Sequence, residues 1–173
     1  WNNADATAEA IKDGWLHTGD IGKFDSDGHL RITDRKKDII VNSGGDNIAP
    51  QRIEGMLTAQ PEISQAMVYG DKRPNLVALI IPDAEFAASW AKDQVLDSKA
   101  LDAVIGHPNF KSVISAAVDR VNGDLSVIER VRRFTLTAEA FTIDNAMMTP
   151  TLKIRRHVIR EKYSGTLEAL YGR

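Results

Sequence analysis

The sequence contains no cysteine and no long apolar run, and these two absences exclude several classes of protein. Without cysteine the chain can form neither a disulfide nor a thiolate metal site. The most apolar stretch, Leu76–Pro82, has seven residues, whereas a transmembrane helix needs about 20. The first residues also lack the basic, apolar and small-residue pattern of a signal peptide. We therefore expect a cytoplasmic protein without a transmembrane segment, and leave peripheral association with a membrane open.

A strong charge of either sign is also missing, so there is no general reason to expect nucleic-acid binding. The 173 residues carry 22 basic and 24 acidic side chains, for a net charge of −2. Their distribution is uneven, because residues 150–173 hold six bases against two acids. This basic end is either a solvated helix face or a surface for the phosphates of a nucleotide or of CoA. The chain opens at Trp1 without an initiator methionine, which suggests a fragment.

The hydrophobic pattern predicts an α+β fold, in which an N-terminal β-hairpin precedes a small mixed sheet covered by helices. The hairpin is expected at residues 21–34, with the tight-turn dipeptide Asp27-Gly28 at its tip. Further strands are predicted at residues 39–41, 65–69, 76–81 and 133–137. Helices are predicted at residues 51–59, after Asp83, at 108–121, near 126–131, at 154–163 and at 166–171.

Three candidate functional residues are polar or charged, and each also has an ordinary interpretation. Asp20 could accept hydrogen bonds from two vicinal hydroxyls, or it could close a turn through its own backbone. Arg35 ends the predicted hairpin, where a surface ion pair is the plain alternative. Lys153 follows Pro150 at the start of a predicted helix, where it is either a surface lysine or an ammonium that stabilises phosphoryl oxygens.

The dipeptide Gly44-Gly45 is a fourth candidate. A pair of glycines can serve a turn that needs positive φ, or it can let a thin ligand pass close to the backbone. Spacing alone favours neither interpretation. The four histidines show no metal-ligand spacing, and no metal site is predicted.

The runs that contain these residues resemble the C-terminal portion of the adenylate-forming ligases, and most closely the long-chain acyl-CoA synthetases. The resemblance covers the whole chain. It is carried by Gly14-Trp15-Leu16-His17-Thr18-Gly19-Asp20, by Asp34-Arg35-Lys36-Lys37-Asp38, by residues 40–50, and by Thr149-Pro150-Thr151-Leu152-Lys153. By this resemblance, residues 1–34 are the end of a large N-terminal domain with the hairpin that leads to a hinge. Residues 35–173 are then a small mobile C-terminal domain.

The same resemblance implies a role for each candidate residue. Asp20 and Arg35 would bind the ribose of ATP or AMP, and Lys37 would lie at the pivot between the domains. Gly44 and Gly45 would line the tunnel that admits the CoA thiol. Lys153 would orient the substrate carboxylate and the α-phosphate during adenylation.

The implied parent enzyme joins a fatty acid to AMP, releases pyrophosphate, and then passes the acyl group to CoA. Its substrates are ATP, a fatty acid and CoA, and Mg²⁺ is expected to take its ligands outside this chain. The partner is the large N-terminal domain, which in this family holds the phosphate loop and the acyl tunnel. We therefore expect the chain alone to be inactive.

Two further hypotheses stay open. The chain could belong to an adenylating enzyme that hands the acyl group to a carrier protein, or it could be a non-catalytic binding domain. Two positions depart from the family pattern. Val41 stands where some relatives have a lysine, and residues 145–148 replace a loop that usually contains glycine.

Overall fold

The computed structural model describes residues 2–96 and 100–172. Its helices are α1 Ala4–Ala10, α2 Pro50–Thr58, α3 Ala84–Asp93, α4 Leu101–Ile105, α5 Pro108–Gly123, α6 Arg156–Lys162 and α7 Ser164–Ala169. Its strands are β1 Ile11–Lys12, β2 Trp15–Leu16, β3 Asp20–Phe24, β4 Leu30–Arg35, β5 Ile40–Val41, β6 Asn47–Ile48, β7 Ile63–Tyr69, β8 Leu76–Pro82 and β9 Val131–Leu136. The α+β fold predicted from the sequence is confirmed.

A three-stranded mixed sheet in the order β7-β8-β9 forms the centre of the fold. The strands β7 and β8 run antiparallel, with Ala66 opposite Ile80, and β9 joins β8 in parallel. Every residue of β8 is buried. A central strand covered on both faces has no solvent-facing positions, which explains why its sequence is apolar throughout.

The two faces of this sheet carry separate cores. On one face, alternate residues of β7 and β8 pack against α2, α3, α4 and α5, with Ile53, Leu57 and Phe110 fully buried. The opposite face packs against the last part of the chain, where Phe141, Met147, Ile159 and Leu167 are buried. The C-terminal segment therefore packs against the sheet through a hydrophobic core of its own, separate from the core under α2–α5.

The hairpin of β3 and β4 is joined to the rest by a buried carboxylate. Asp34, only 3% exposed, accepts hydrogen bonds from the backbone of Arg35 at 2.7 Å and of Gln51 at 3.4 Å. Gln51 lies in the first turn of α2, whose N-cap residue Ala49 offers no side-chain acceptor. The Asp34 carboxylate takes that place, where the helix dipole favours a negative charge.

Three local predictions were wrong. Where a helix was predicted near residues 126–131, residues 126–130 form a single turn before β9, and the Glu129 carboxylate accepts from both the backbone and the hydroxyl of Ser126. The helix expected from residue 154 begins at Arg156, since Ile154 pairs with Met148 in a β-bridge. The Ser164-Gly165 dipeptide lies in the first turn of α7 instead of separating two helices.

Candidate functional site

A cleft of about 1190 Å³ lies between the hairpin and the segment that precedes α6. Asp20, Arg35 and Lys37 line it from one side, and Lys153 lines it from the other. Four of the six candidate residues therefore border one space, although Lys153 is far from the others in the sequence. Gly44 and Gly45 are not among the lining residues of this cleft.

Asp20 and Arg35 form a cross-strand ion pair. They lie directly opposite each other in the pairing of β3 with β4, which brings Arg35 Nε within 2.7 Å of Asp20 Oδ1. The backbone N–H of Asp20 donates to Thr18 Oγ1 at 3.1 Å. Within residues 2–96 and 100–172, no donor occupies Asp20 Oδ2. One oxygen of an oriented carboxylate is thus available for a hydroxyl.

Lys153 lies on a tight loop, and the prediction that it starts a helix was wrong. Thr149 holds its backbone at both ends: the N–H donates to Thr149 Oγ1 at 3.1 Å, and the C=O accepts from Thr149 N at 2.8 Å. The preceding residue, Leu152, has a φ of 58°, in the left-handed region. In the described part of the chain, no acceptor engages Lys153 Nζ. The backbone is fixed and the exposed ammonium is free.

Three residues after Lys153, a buried ion pair anchors the start of α6. Arg156 donates to both oxygens of Glu54 in α2, and the backbone N–H of Val68 donates to Glu54 Oε1 at 2.7 Å. The Glu54 side chain is 10% exposed and that of Arg156 is 18% exposed. Burial raises the pKa of the Glu54 carboxyl, and its bonds to Arg156 act in the opposite direction.

The cleft carries an excess of positive charge on its C-terminal side. Lys153, Arg155, Arg156 and Arg160 all line it, together with His157. Only Arg156 among these cations is paired with a carboxylate in the described residues. An anionic ligand would therefore find unpaired cations opposite the Asp20 carboxylate.

Lys37 lies in a turn that follows β4. The backbone N–H groups of Asp38 and Ile39 both donate to the carbonyl of Arg35, at 2.9 and 3.2 Å. The Lys37 side chain is exposed at the edge of the cleft. The turn connects the hairpin to the body of the sheet.

The Gly44-Gly45 loop is closed by a neighbouring side chain. Asn42 Oδ1 accepts from the backbone N–H groups of Gly44 and Asp46, each at 2.9 Å. Gly45 has a φ of +86°, which a residue with a Cβ adopts only under strain. A Cβ at Gly44 would lie 3.3 Å from Asn42 Oδ1. The loop backbone therefore favours glycine at position 45, and a side chain at position 44 would require Asn42 to shift.

A possible metal cluster lies elsewhere. Of the residues that the structure describes, Asp25, Asp27 and His29 form the one group with ligand atoms close enough for an ion. They lie at the tip of the hairpin, where Asp25 already accepts from the backbone of Asp27 and His29 and pairs with Arg31. These bonds explain the cluster as a closed turn, and nothing connects it to the cleft.

The sequence analysis did not predict the buried contacts of Asp34, Glu54 and Arg156. A signal was present for Glu54, because it stands beside Ile53 on the apolar face of α2, where a charged side chain needs a partner. Nothing in the local sequence identifies Arg156 as that partner.

The comparisons with known proteins show the family of this chain. The chain belongs to the family described as AMP-binding enzyme C-terminal domain, whose model matches residues 37–173. No helix within the described ranges is long and apolar enough to cross a membrane.

Two curated relatives cover nearly the whole chain. It is 43% identical over 177 aligned residues to a long-chain-fatty-acid–CoA ligase of Mycobacterium tuberculosis, covering 100% of this chain and 29% of that protein. It is 37% identical over 170 residues to long-chain-fatty-acid–CoA ligase 1 of Homo sapiens, covering 96% of this chain and 24% of that protein. The chain thus spans less than a third of the length of these relatives. The predicted resemblance to the adenylate-forming ligases is confirmed.

A solved structure shares the fold. The A-PCP didomain of a carboxylic acid reductase from Segniliparus rugosus, in complex with AMP, matches with a TM-score of 0.80 and 26% identity. The match covers 99% of this chain and 23% of that one.

Proposed function

We propose that this chain is the C-terminal part of a long-chain fatty-acid–CoA ligase and works together with a large N-terminal domain. One observation carries the proposal: the Asp20 carboxylate, with an oxygen available for a hydroxyl, faces the free ammonium of Lys153 across one cleft. A ribose and a phosphate are the two groups that such a pair would suit. The similarity to two long-chain-fatty-acid–CoA ligases supports the acyl substrate and CoA as acceptor.

The proposed reaction has two halves. A carboxylate oxygen of the fatty acid attacks the α-phosphorus of ATP, and pyrophosphate leaves with the electrons of the broken phosphoanhydride bond. The sulfur of CoA then attacks the acyl carbonyl carbon and gives up its proton, and AMP leaves. Both halves would use one active site.

Asp20 and Arg35 would hold the nucleoside during both halves. Asp20 Oδ2 would accept a hydrogen bond from a ribose hydroxyl, while Arg35 holds the carboxylate in its orientation. Lys153 would place its ammonium against the oxygens that gain charge as the carboxylate attacks phosphorus. The fixed backbone of the Lys153 loop limits the entropy that this placement costs.

The other candidate residues would serve the second half. Gly44 and Gly45 would let the thiol-bearing arm of CoA pass close to the backbone, and Lys37 would lie at the pivot between residues 1–34 and 35–173. The separation of the glycine loop from the cleft supports such a pivot, because the two parts would have to occupy the active site in turn.

The rest of the large domain would cover two exposed aromatic side chains, one in the hairpin and one in β2. Phe24 is 72% exposed and Trp15 is 77% exposed, which is unusual for aromatic residues of this size.

Mg²⁺ would enter with the ATP phosphates and take its protein ligands outside this chain. A cytoplasmic location fits the absence of cysteine.

The test uses the full-length enzyme and measures the halves separately. Lys153→Ala should lower the rate of acyl-adenylate formation by about 100-fold or more, since one electrostatic donor contributes about that much. Thioester formation from supplied acyl adenylate should change little. Lys92→Ala, which removes an exposed lysine from α3, is the matched control and should affect neither half. Equal losses in both halves would contradict the assigned role.

A second candidate acceptor is the thiol of a carrier protein. The similarity to an A-PCP didomain favours it, since that structure joins an adenylating domain to a carrier domain. Supplying the full-length enzyme with either CoA or a holo carrier protein, and measuring acyl transfer to each, distinguishes the two. We expect transfer to CoA.

A further inference from the structure

The Gly44-Gly45 loop rests on a second turn, which connects β7 to β8. The backbone N–H of Ser43 donates to the carbonyl of Arg73 at 3.0 Å, and that of Lys72 donates to the carbonyl of Val41 at 2.7 Å. Asp71 Oδ1 accepts from the backbone of Val41 at 3.3 Å. The position of the glycine loop therefore depends on where the backbone of residues 70–75 lies.

The end of the chain holds this second turn in place. Glu168 of α7 pairs with the guanidinium of Arg73 and accepts from the hydroxyl of Tyr69 at 2.9 Å. The Arg73 guanidinium also lies 5.2 Å from the centre of the Tyr171 ring.

The Tyr171 hydroxyl connects the two ends of the same turn. The Tyr171 hydroxyl lies within 3.0 Å of the Asn75 carbonyl and 3.1 Å of the Tyr69 carbonyl, and acts as donor. Burial raises the pKa of the Tyr171 phenol, so it stays protonated. Since Leu167 is fully buried in the core beneath, α7 is a firm support for these contacts.

We propose that α7 and Tyr171 position the Gly44-Gly45 loop through the turn at residues 70–75, so that Glu168 and Tyr171 are positioning residues for acyl transfer to the thiol. The inference rests on the proposed function, which gives the glycine loop its role. The Arg73 and Glu168 side chains are 39% and 41% exposed, and ion pairs this exposed contribute little to overall stability. We expect the Arg73–Glu168 pair to act on the position of the turn at residues 70–75 instead.

The chain offers a matched control for Glu168. Glu139 also pairs with a cation, Lys162, and accepts from a tyrosine hydroxyl, that of Tyr163, at 2.9 Å. Its side chain has the same exposure, 41%. It makes no contact with the turn at residues 70–75 in the described structure.

The first experiment tests the mechanical link on this chain alone, without any assumption about catalysis. Amide hydrogen exchange at Ser43 and Lys72 should accelerate by about fivefold in Glu168→Gln and stay unchanged in Glu139→Gln. Equal exchange in the two variants would overturn the proposal.

The second experiment tests the functional consequence in the full-length enzyme. Glu168→Gln and Tyr171→Phe should lower the rate of thioester formation from acyl adenylate, or raise the KM for CoA, by about three- to tenfold, with adenylation unchanged. Tyr163→Phe is the control for the tyrosine. If exchange at Ser43 accelerates while thioester formation does not change, the role of the glycine loop at the thiol is wrong. If the full-length wild-type enzyme has no ligase activity, the proposed function is refuted. The hydrogen-exchange experiment still tests whether Glu168 positions the glycine loop.

Discussion

Replacing Arg156 by methionine isolates the buried ion pair that anchors the Lys153 loop. The substitution removes two of the three hydrogen bonds that Glu54 accepts and leaves only the backbone N–H of Val68. Methionine keeps an unbranched side chain of similar reach, so the loss is mainly that of charge and hydrogen bonds. The variant therefore contains a buried carboxylate without its cation.

The expected cost follows from burial. Breaking a buried pair by removing one partner costs about 3–5 kcal/mol. The lower end, about 3 kcal/mol, applies because the Arg156 side chain is 18% exposed at the cleft and water can reach the carboxylate. Urea unfolding of this chain measures the difference. Arg160→Met, which removes an exposed arginine from the same helix, is the control and should stay within about 0.5 kcal/mol of wild type.

The stability deficit of Arg156→Met should depend on pH, because the deficit comes from the charge on Glu54. Without Arg156, the folded-state pKa of Glu54 rises further above its unfolded value of about 4.3. A group with a raised pKa contributes its stability below the unfolded pKa and loses it as the pH rises through the folded pKa. The deficit of the variant should therefore be smaller near pH 4 than at pH 8, roughly the two sides of this window.

A double variant measures how much of the cost comes from the unpaired carboxylate. In Glu54→Gln/Arg156→Met the neutral amide can still accept from Val68 and no charge is buried, so this variant should be more stable than Arg156→Met alone. Equal losses of stability in Arg156→Met and Arg160→Met would contradict the role of the buried pair. A stability deficit of Arg156→Met that is independent of pH would contradict it as well.

Two further outcomes are expected. Ala146 has a φ of 60°, in the left-handed region that favours glycine, so Ala146→Gly should raise the free energy of unfolding by about 0.5–1 kcal/mol; a loss in urea unfolding would contradict this. Bonds from Arg73 and then Tyr69 lower the pKa of Glu168, so its stabilising effect is complete above the unfolded pKa and is lost as the pH falls through the lower folded value. An NMR titration should place the pKa of the Glu168 carboxyl below its ordinary value, and Arg73→Gln should raise that pKa.

The parts of the fold that could be predicted from the sequence are those with a strong local signal. The helix α5 follows the apolar spacing of residues 110–121, and β8 is a continuous apolar run between turn residues. The hairpin is set by Asp27-Gly28. In these elements local preference and tertiary packing agree.

The loop that carries Lys153 could not be predicted in this way. Its sequence after Pro150 is compatible with a helix, but Thr149 takes up the backbone groups of Lys153, and Ile154 pairs with Met148. Side-chain hydrogen bonds of threonine compete with helix formation, and spacing does not reveal which wins. The resemblance to a family named Lys153, Asp20 and Arg35 together, whereas their residue types and spacing alone did not.

The strand β7 explains why an exchange at the active site would involve the whole C-terminal domain. Val68 donates its backbone N–H to Glu54, which holds the start of α6 next to the Lys153 loop. The next residue, Tyr69, bonds through its hydroxyl to Glu168 and through its carbonyl to Tyr171, on the side that supports the glycine loop. Since adjacent residues of one strand move together, the contacts that support the two loops are linked through β7. We infer that Lys153 and Gly44-Gly45 would take turns at a bound nucleotide by rotation about the turn at Lys37, which would move both loops together.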